Sequence, residues 1–129
     1  MLAAEGGHSQ ITEQLLAKGA DVRARDSEGR TALLLGSMNH FAQEELLKLL
    51  LAKGADVNVT DNHGNTALML AASGGALQVI GTLLAAGANV NARNKDGWTA
   101  LRYARESKEA NEGTGKLITK LLQKAGAKD

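Results

Sequence analysis

Residues 61–93 read DNHGNTALMLAASGGALQVIGTLLAAGANVNAR, and the parsing of this stretch decides the fold. Asp61 opens it and Gly64 follows. Thr66-Ala67-Leu68, Ala71-Ala72, Leu83-Leu84 and Gly87-Ala88-Asn89-Val90-Asn91 complete its landmarks. Gly64 supplies a positive φ for a tight turn, and the Thr66 hydroxyl can accept from the backbone at a helix start. Leu68, Leu70 and the Ala71-Ala72 pair then fit one face of a short helix, with alanines small enough to let a second helix come close. Gly74-Gly75 ends that helix. Val79, Ile80, Leu83 and Leu84 form the apolar stripe of a second helix, which Gly87 closes as a left-handed cap. Such a pair has apolar surface on both flanks and cannot bury it alone, so it requires neighbours.

Those neighbours are written on both sides. Asp26-Ser27-Glu28-Gly29-Arg30-Thr31-Ala32-Leu33 repeats the opening, Gly36-Ser37 replaces the alanine pair, and Leu46-Leu47, Leu50-Leu51, Gly54-Ala55 and Val57-Asn58 repeat the remainder. This unit, 26–60, has thirty-five residues against thirty-three in 61–93; the extra residues fall around 38–43 and predict a longer loop or an extended second helix. Residues 94–129 keep Gly97, Thr99-Ala100-Leu101, Leu121-Leu122 and Ala125-Gly126-Ala127. Their stretch from Glu106 to Lys116 is charged, Gly-containing and longer than its counterpart, which predicts a solvent loop. Arg102 and Arg105 stand where 61–93 has Met69 and Ala72, a charge placement suited to the capped end of a stack. Residues 1–25 align from Leu2-Ala3-Ala4 onward without the opening turn and form a partial unit; Ile11 and Leu15 leave its first flank apolar.

In this register the landmarks resemble the ankyrin repeat, which carries D-x-x-G-x-T-P-L-H-x-A-A and then L-L-x-x-G-A-x-V-N. The family's T-P-L is T-A-L here, since the chain has no Pro. The resemblance covers the whole chain as a single domain, 1–129, of about three and a half units: 1–25 (partial), 26–60, 61–93 and the capping unit 94–129. It implies an all-α ankyrin-repeat solenoid of stacked helix-turn-helix pairs joined by hairpin-like loops. It also implies a shared role in binding other proteins through a concave face of hairpin tips and first helices, a role that fold alone does not fix.

Composition narrows the classes further. With 43% apolar residues and a net charge of +1 the chain fits a soluble globular domain. Without Cys it has neither a disulfide framework nor a thiolate metal site. Met1-Leu2-Ala3-Ala4 lacks the basic start and apolar core of a signal peptide, and no apolar run is long enough to span a membrane, which makes the cytoplasm the default expectation. Gly113-Thr114-Gly115-Lys116 hints at a phosphate loop, but Ala110 stands where that motif needs Gly and Leu117 where it needs Ser or Thr. His8, His40 and His63 occupy non-equivalent positions without metal-ligand spacing, and Ser37 has no geometry that makes a catalytic triad. Arg23, Arg25, Arg30, Arg93 and Lys95 are interleaved with Asp21, Asp26, Glu28, Asp61 and Asp96, so the turns offer no net basic field. One Trp, one Tyr and one Phe make no base-stacking platform. The reading is a non-catalytic module with no cofactor, metal, small-molecule substrate, nucleic acid or membrane partner.

Its candidate partner-binding residues are those that vary between units at outward positions. At the tips they are Ser27, Glu28 and Arg30, then Asn62, His63 and Asn65, then Lys95, Asp96 and Trp98. At the ends of the first helices they are Glu5, Met38, Asn39, Ser73, Glu106 and Ser107; Arg25, Thr60 and Arg93 close the row. Trp98 is the sharpest, because interface hot spots are enriched in Trp; its alternative is to fold back on Tyr103 as a cap for the last unit. Two function classes follow: an adaptor that binds a partner protein, expected to be a monomer, or a structural fragment that self-associates through the open N-terminal flank. A designed binder of the same type would read alike.

Overall fold

A computed structural model describes residues 17–38, 44–107 and 113–128. Its helices are α1 (Ala32–Met38), α2 (Glu44–Ala52), α3 (Ala67–Gly74), α4 (Leu77–Ala85), α5 (Ala100–Glu106) and α6 (Thr114–Lys124). The partial first unit up to residue 16, with His8, Ile11 and Leu15, lies outside the described residues, as do Asn39 and His40. No helix among the described residues is long and apolar enough to cross a membrane.

Local chemistry sets the helix boundaries. The Thr66 hydroxyl accepts from Met69 N at 3.3 Å and the Thr99 hydroxyl from Arg102 N at 3.2 Å, each satisfying one of the unpaired amides of a helix's first turn. Gly75 caps α3 at φ 73°, and Gly87 follows α4 at φ 91°, conformations that a side chain at Cβ disfavours.

The helices form two rows. The first helices α1, α3 and α5 pack side by side, the second helices α2, α4 and α6 do the same, and each first helix packs on the second helix of its own unit. Leu33, Leu34, Leu46, Leu47, Leu50, Leu68, Ile80, Leu83, Leu101, Ile118 and Leu122 are buried between the rows and between units. The one-face reading of the first helix needs correction in α3. Met69 is fully buried there while Leu70 is only partly covered, because α1 on one flank, α5 on the other and α4 beneath leave a single side of α3 toward solvent. Ser37, in the place of an alanine, is buried and donates from Oγ to Leu33 O at 2.8 Å, so its hydroxyl is satisfied within its own helix.

Beyond apolar burial, asparagines tie the units together. Asn58 donates from Nδ2 to Gly87 O at 3.4 Å and accepts from Asn89 N at 2.7 Å; one unit later Asn91 donates to Gly126 O at 3.2 Å and accepts from Lys128 N at 2.9 Å. The Val-Asn that closes each unit is thus a clamp on the next.

The predicted solvent loop is shorter than expected. Helix α6 begins at Thr114, and Gly115 is buried within it. Thr114, Gly115 and Lys116 are therefore helical, Gly115 being small enough to lie against the neighbouring helix.

Candidate functional site

The outward candidates sit on three turns of one design. Asp26 Oδ1 accepts from Glu28 N and Arg30 N, Asp61 Oδ1 from His63 N and Asn65 N, and Asn94 Oδ1 from Asp96 N and Trp98 N, all between 2.9 and 3.0 Å. A short polar side chain that binds two backbone amides ahead of it fixes the tip without help from the rest of the fold. The glycines at 29, 64 and 97 take φ between 76° and 80° to close each turn.

Consecutive tips are joined. Asn62 N donates to Glu28 O at 3.0 Å, Lys95 N donates to His63 O at 3.1 Å, and Asn62 Nδ2 adds a bond to Ser27 O at 3.1 Å. Backbone bonds therefore hold Glu28, Asn62, His63, Lys95 and Asp96 in a fixed row, with all five side chains exposed.

The residues just before each first helix behave differently. Arg30, Asn65 and Trp98 are half-buried. Arg30 pairs with Asp26 at 2.8 Å and with Glu28 at 3.4 Å. The Asp26 carboxyl is held below its usual range, first by the Arg30 amide it accepts from, against a burial effect of opposite sign, and further by the Arg30 guanidinium and the Glu28 amide. Trp98 lies back on Tyr103, ring centroids 4.9 Å apart at 51°, with Arg102 Cζ 4.1 Å from the indole centroid. Of the two placements open to this indole, the structure has the one folded over its own unit.

Arg25 and Arg93 also engage the scaffold. Arg25 Nη1 donates to Thr60 O at 2.8 Å and more weakly to Gly29 O at 3.4 Å, while Arg93 Nη1 donates to Gly97 O at 3.0 Å. At the first-helix ends Met38 is 45% exposed, a large value for that side chain, and Ser73 and Glu106 are exposed while Ser107 is half-buried. Asn39 and Glu5 lie outside the described residues.

One cluster escapes reading from sequence. Asn94 Nδ2 donates to Asn65 Oδ1 at 2.9 Å and to the Tyr103 hydroxyl at 3.0 Å, and that hydroxyl lies 3.3 Å from Asn65 Oδ1. Asn94 is 8% exposed, so its four bonds satisfy a buried amide in full. The only signal in the sequence was that Asn94 stands where the other two turns carry Asp26 and Asp61.

On the opposite side, the second helices present polar pairs. Lys48 lies 3.0 Å from Glu44, whose Oε1 is also 3.3 Å from the Thr82 hydroxyl on α4. Lys48 holds the Glu44 carboxyl below its usual range and is itself raised by Glu44.

Comparison with known families agrees with this architecture. A model described as Ankyrin repeats (3 copies) matches residues 1–61, and one described as Ankyrin repeats (many copies) matches residues 49–104. The chain belongs to the ankyrin repeat family, an all-helical repeat fold that generally serves protein-protein interaction rather than catalysis. A search of curated proteins gave no match.

Proposed function

We propose that this chain is a non-catalytic adaptor that holds a partner protein along the row formed by its hairpin tips and first-helix ends. The observation that carries the reading is the bonding between tips: Asn62 N to Glu28 O and Lys95 N to His63 O hold the exposed tip side chains at fixed spacing. A row ordered in advance loses little conformational freedom on binding, which favours recognition of an extended surface. Within it, Met38 is the apolar contact and Glu28, His63, Lys95 and Asp96 supply polar selectivity. Arg25, Arg30, Asn65 and Arg93 position the row through their bonds to carbonyls and carboxylates, and Trp98 stiffens its last member.

The test uses partners captured by the immobilised chain from cells of its source and identified by mass spectrometry. His63→Ala with Met38→Ala is expected to weaken a captured partner by about thirtyfold, the scale of one or two contact residues worth ~2 kcal/mol together. Lys48→Ala on the second-helix row is expected to leave capture unchanged. Capture that survives the first pair and fails with Lys48→Ala would move the site to the other row.

A further inference from the structure

Three features of the molecule lie outside that row: a shallow groove between α2 and α4 beside Glu44 and Lys48, a recess at Val22 and Arg25, and a recess at the outer flank of the last unit. The third carries an inference. Its cavity, about 300 Å³, is lined by Arg93, Gly97, Thr99, Arg102, Arg105 and Glu106.

Comparison between units shows what this flank is built to meet. At the interior positions equivalent to Arg102, Leu34 and Met69 are buried under the next unit, and at those equivalent to Arg105, Ser37 and Ala72 are buried in the same way. Arg102 and Arg105 are exposed instead. A Cβ placed on Gly29 would meet Asn62, and one on Gly64 would meet Lys95 N and Asn94, both in the following hairpin; one on Gly97 meets open space. Inside the stack Arg25 reaches an acceptor on the next unit, Thr60 O, whereas its equivalent Arg93 is bonded to Gly97 O of its own turn. The flank that elsewhere receives another repeat therefore presents three guanidinium groups around a recess.

Its charge is one-sided. Glu106, the single carboxylate in the lining, is paired with Arg102 at 3.1 Å, and Arg102 is further held over the Trp98 indole. The bias extends through the unit: residues 93–129 carry nine Lys or Arg against five Asp or Glu, net +4, while residues 1–92 carry six against nine, net −3. A basic end on a nearly neutral chain attracts acidic partners and orients their approach.

We propose that this end face binds an acidic peptide segment of a partner protein, whose Asp or Glu side chains enter the recess and bridge Arg93, Arg102 and Arg105. Guanidinium groups match carboxylates in bidentate geometry, and a recess of this size holds one or two such side chains. Nucleic acid fits less well, because Trp98 and Tyr103 are stacked on each other with Arg102 over the indole and offer no open platform for bases. A membrane surface fits less well because the basic groups ring a recess rather than a protruding apolar face. This surface is separate from the row of tips, so either can fail alone.

The experiment measures fluorescence anisotropy of a labelled oligoglutamate peptide titrated with the full chain. Saturable binding that weakens as salt is raised is expected, with oligoglutamine inactive as a competitor. Arg102→Gln with Arg105→Gln should lower affinity at least about tenfold, since each arginine contributes charge-assisted bonds. Lys48→Gln should change nothing. Circular dichroism establishes that the double variant is folded; if it is not, Arg105→Gln alone, at an exposed position, carries the comparison. Absence of saturable binding overturns the proposal, as does equal affinity of the arginine variants. Tighter binding of single-stranded DNA of equal charge, or of phosphatidylserine vesicles, would also overturn it. So would self-association in light scattering that the same variants abolish, which would make the occupant a second copy of the chain.

Discussion

At the scale of single residues, the asparagine at 94 shows how one atom differs between units that otherwise agree. Asp26 and Asp61 need only acceptors for the amides ahead of them, whereas Asn94 also donates, to Asn65 and to the Tyr103 hydroxyl. Asn94→Asp restores the residue the other turns carry, yet it should destabilise the chain by about 1–3 kcal/mol, because it removes two buried donors and sets a carboxylate against Asn65 Oδ1. Denaturant midpoints check this, and a gain in stability would show that the network contributes nothing. The converse change, Asp26→Asn, keeps an oxygen for both amides and should be mild near neutral pH. Its signature is pH dependence. The folded-state pKa of Asp26 lies below the unfolded one, so its contribution is present above the unfolded value and is lost as pH falls through the folded value. Melting temperature measured down through the carboxylate range should fall less steeply for Asp26→Asn than for the parent chain; parallel curves would exclude Asp26 as a source of acid sensitivity.

At the scale of elements, the parts legible in sequence were those that act within a few residues. The Thr66 cap, the left-handed Gly75 and Gly87, and the apolar stripe of α4 are local devices, and each stands where its residues placed it. What sequence did not disclose depended on neighbours. Met69 is buried only because α5 covers it, Trp98 folds inward only because Tyr103 and Arg102 are there to receive it, and α6 starts early because Gly115 can lie against the body. The candidate row was readable as a set of positions, while the bonds that commit Arg25, Arg30 and Arg93 to the scaffold cross from turn to turn or unit to unit and leave no local trace. Thr66→Ala is expected to cost about 1 kcal/mol through loss of the cap alone. Leu83→Ala is expected to cost about 2–5 kcal/mol, since this fully buried side chain leaves a cavity between packed helices. Urea midpoints rank the two, and a smaller loss for Leu83→Ala would mean that α4 can close over the gap.

At the scale of the whole molecule, the question is how much stability resides in contact between units rather than within them. Two glycines separate the two contributions. Gly64 and Gly97 hold the same place in consecutive turns and the same φ, 80° in each, so alanine imposes the same left-handed strain at both, about 1–2 kcal/mol. Their surroundings differ. A Cβ at Gly64 comes within 3.0 Å of Lys95 N and 3.2 Å of Asn94 Cα in the following hairpin, whereas at Gly97 nothing lies within 4 Å. The neighbour at Gly64 is backbone, and that backbone is tied down by the bond from Lys95 N to His63 O and by the Asn94 network. It can yield only by giving up those bonds. Gly64→Ala should therefore destabilise clearly more than Gly97→Ala, with the excess measuring the coupling between hairpins. Equilibrium unfolding of both variants decides it. Equal losses would mean that the strained turn accounts for the whole cost and that the hairpins slide past one another freely, which would also remove the fixed spacing on which recognition along the tips depends.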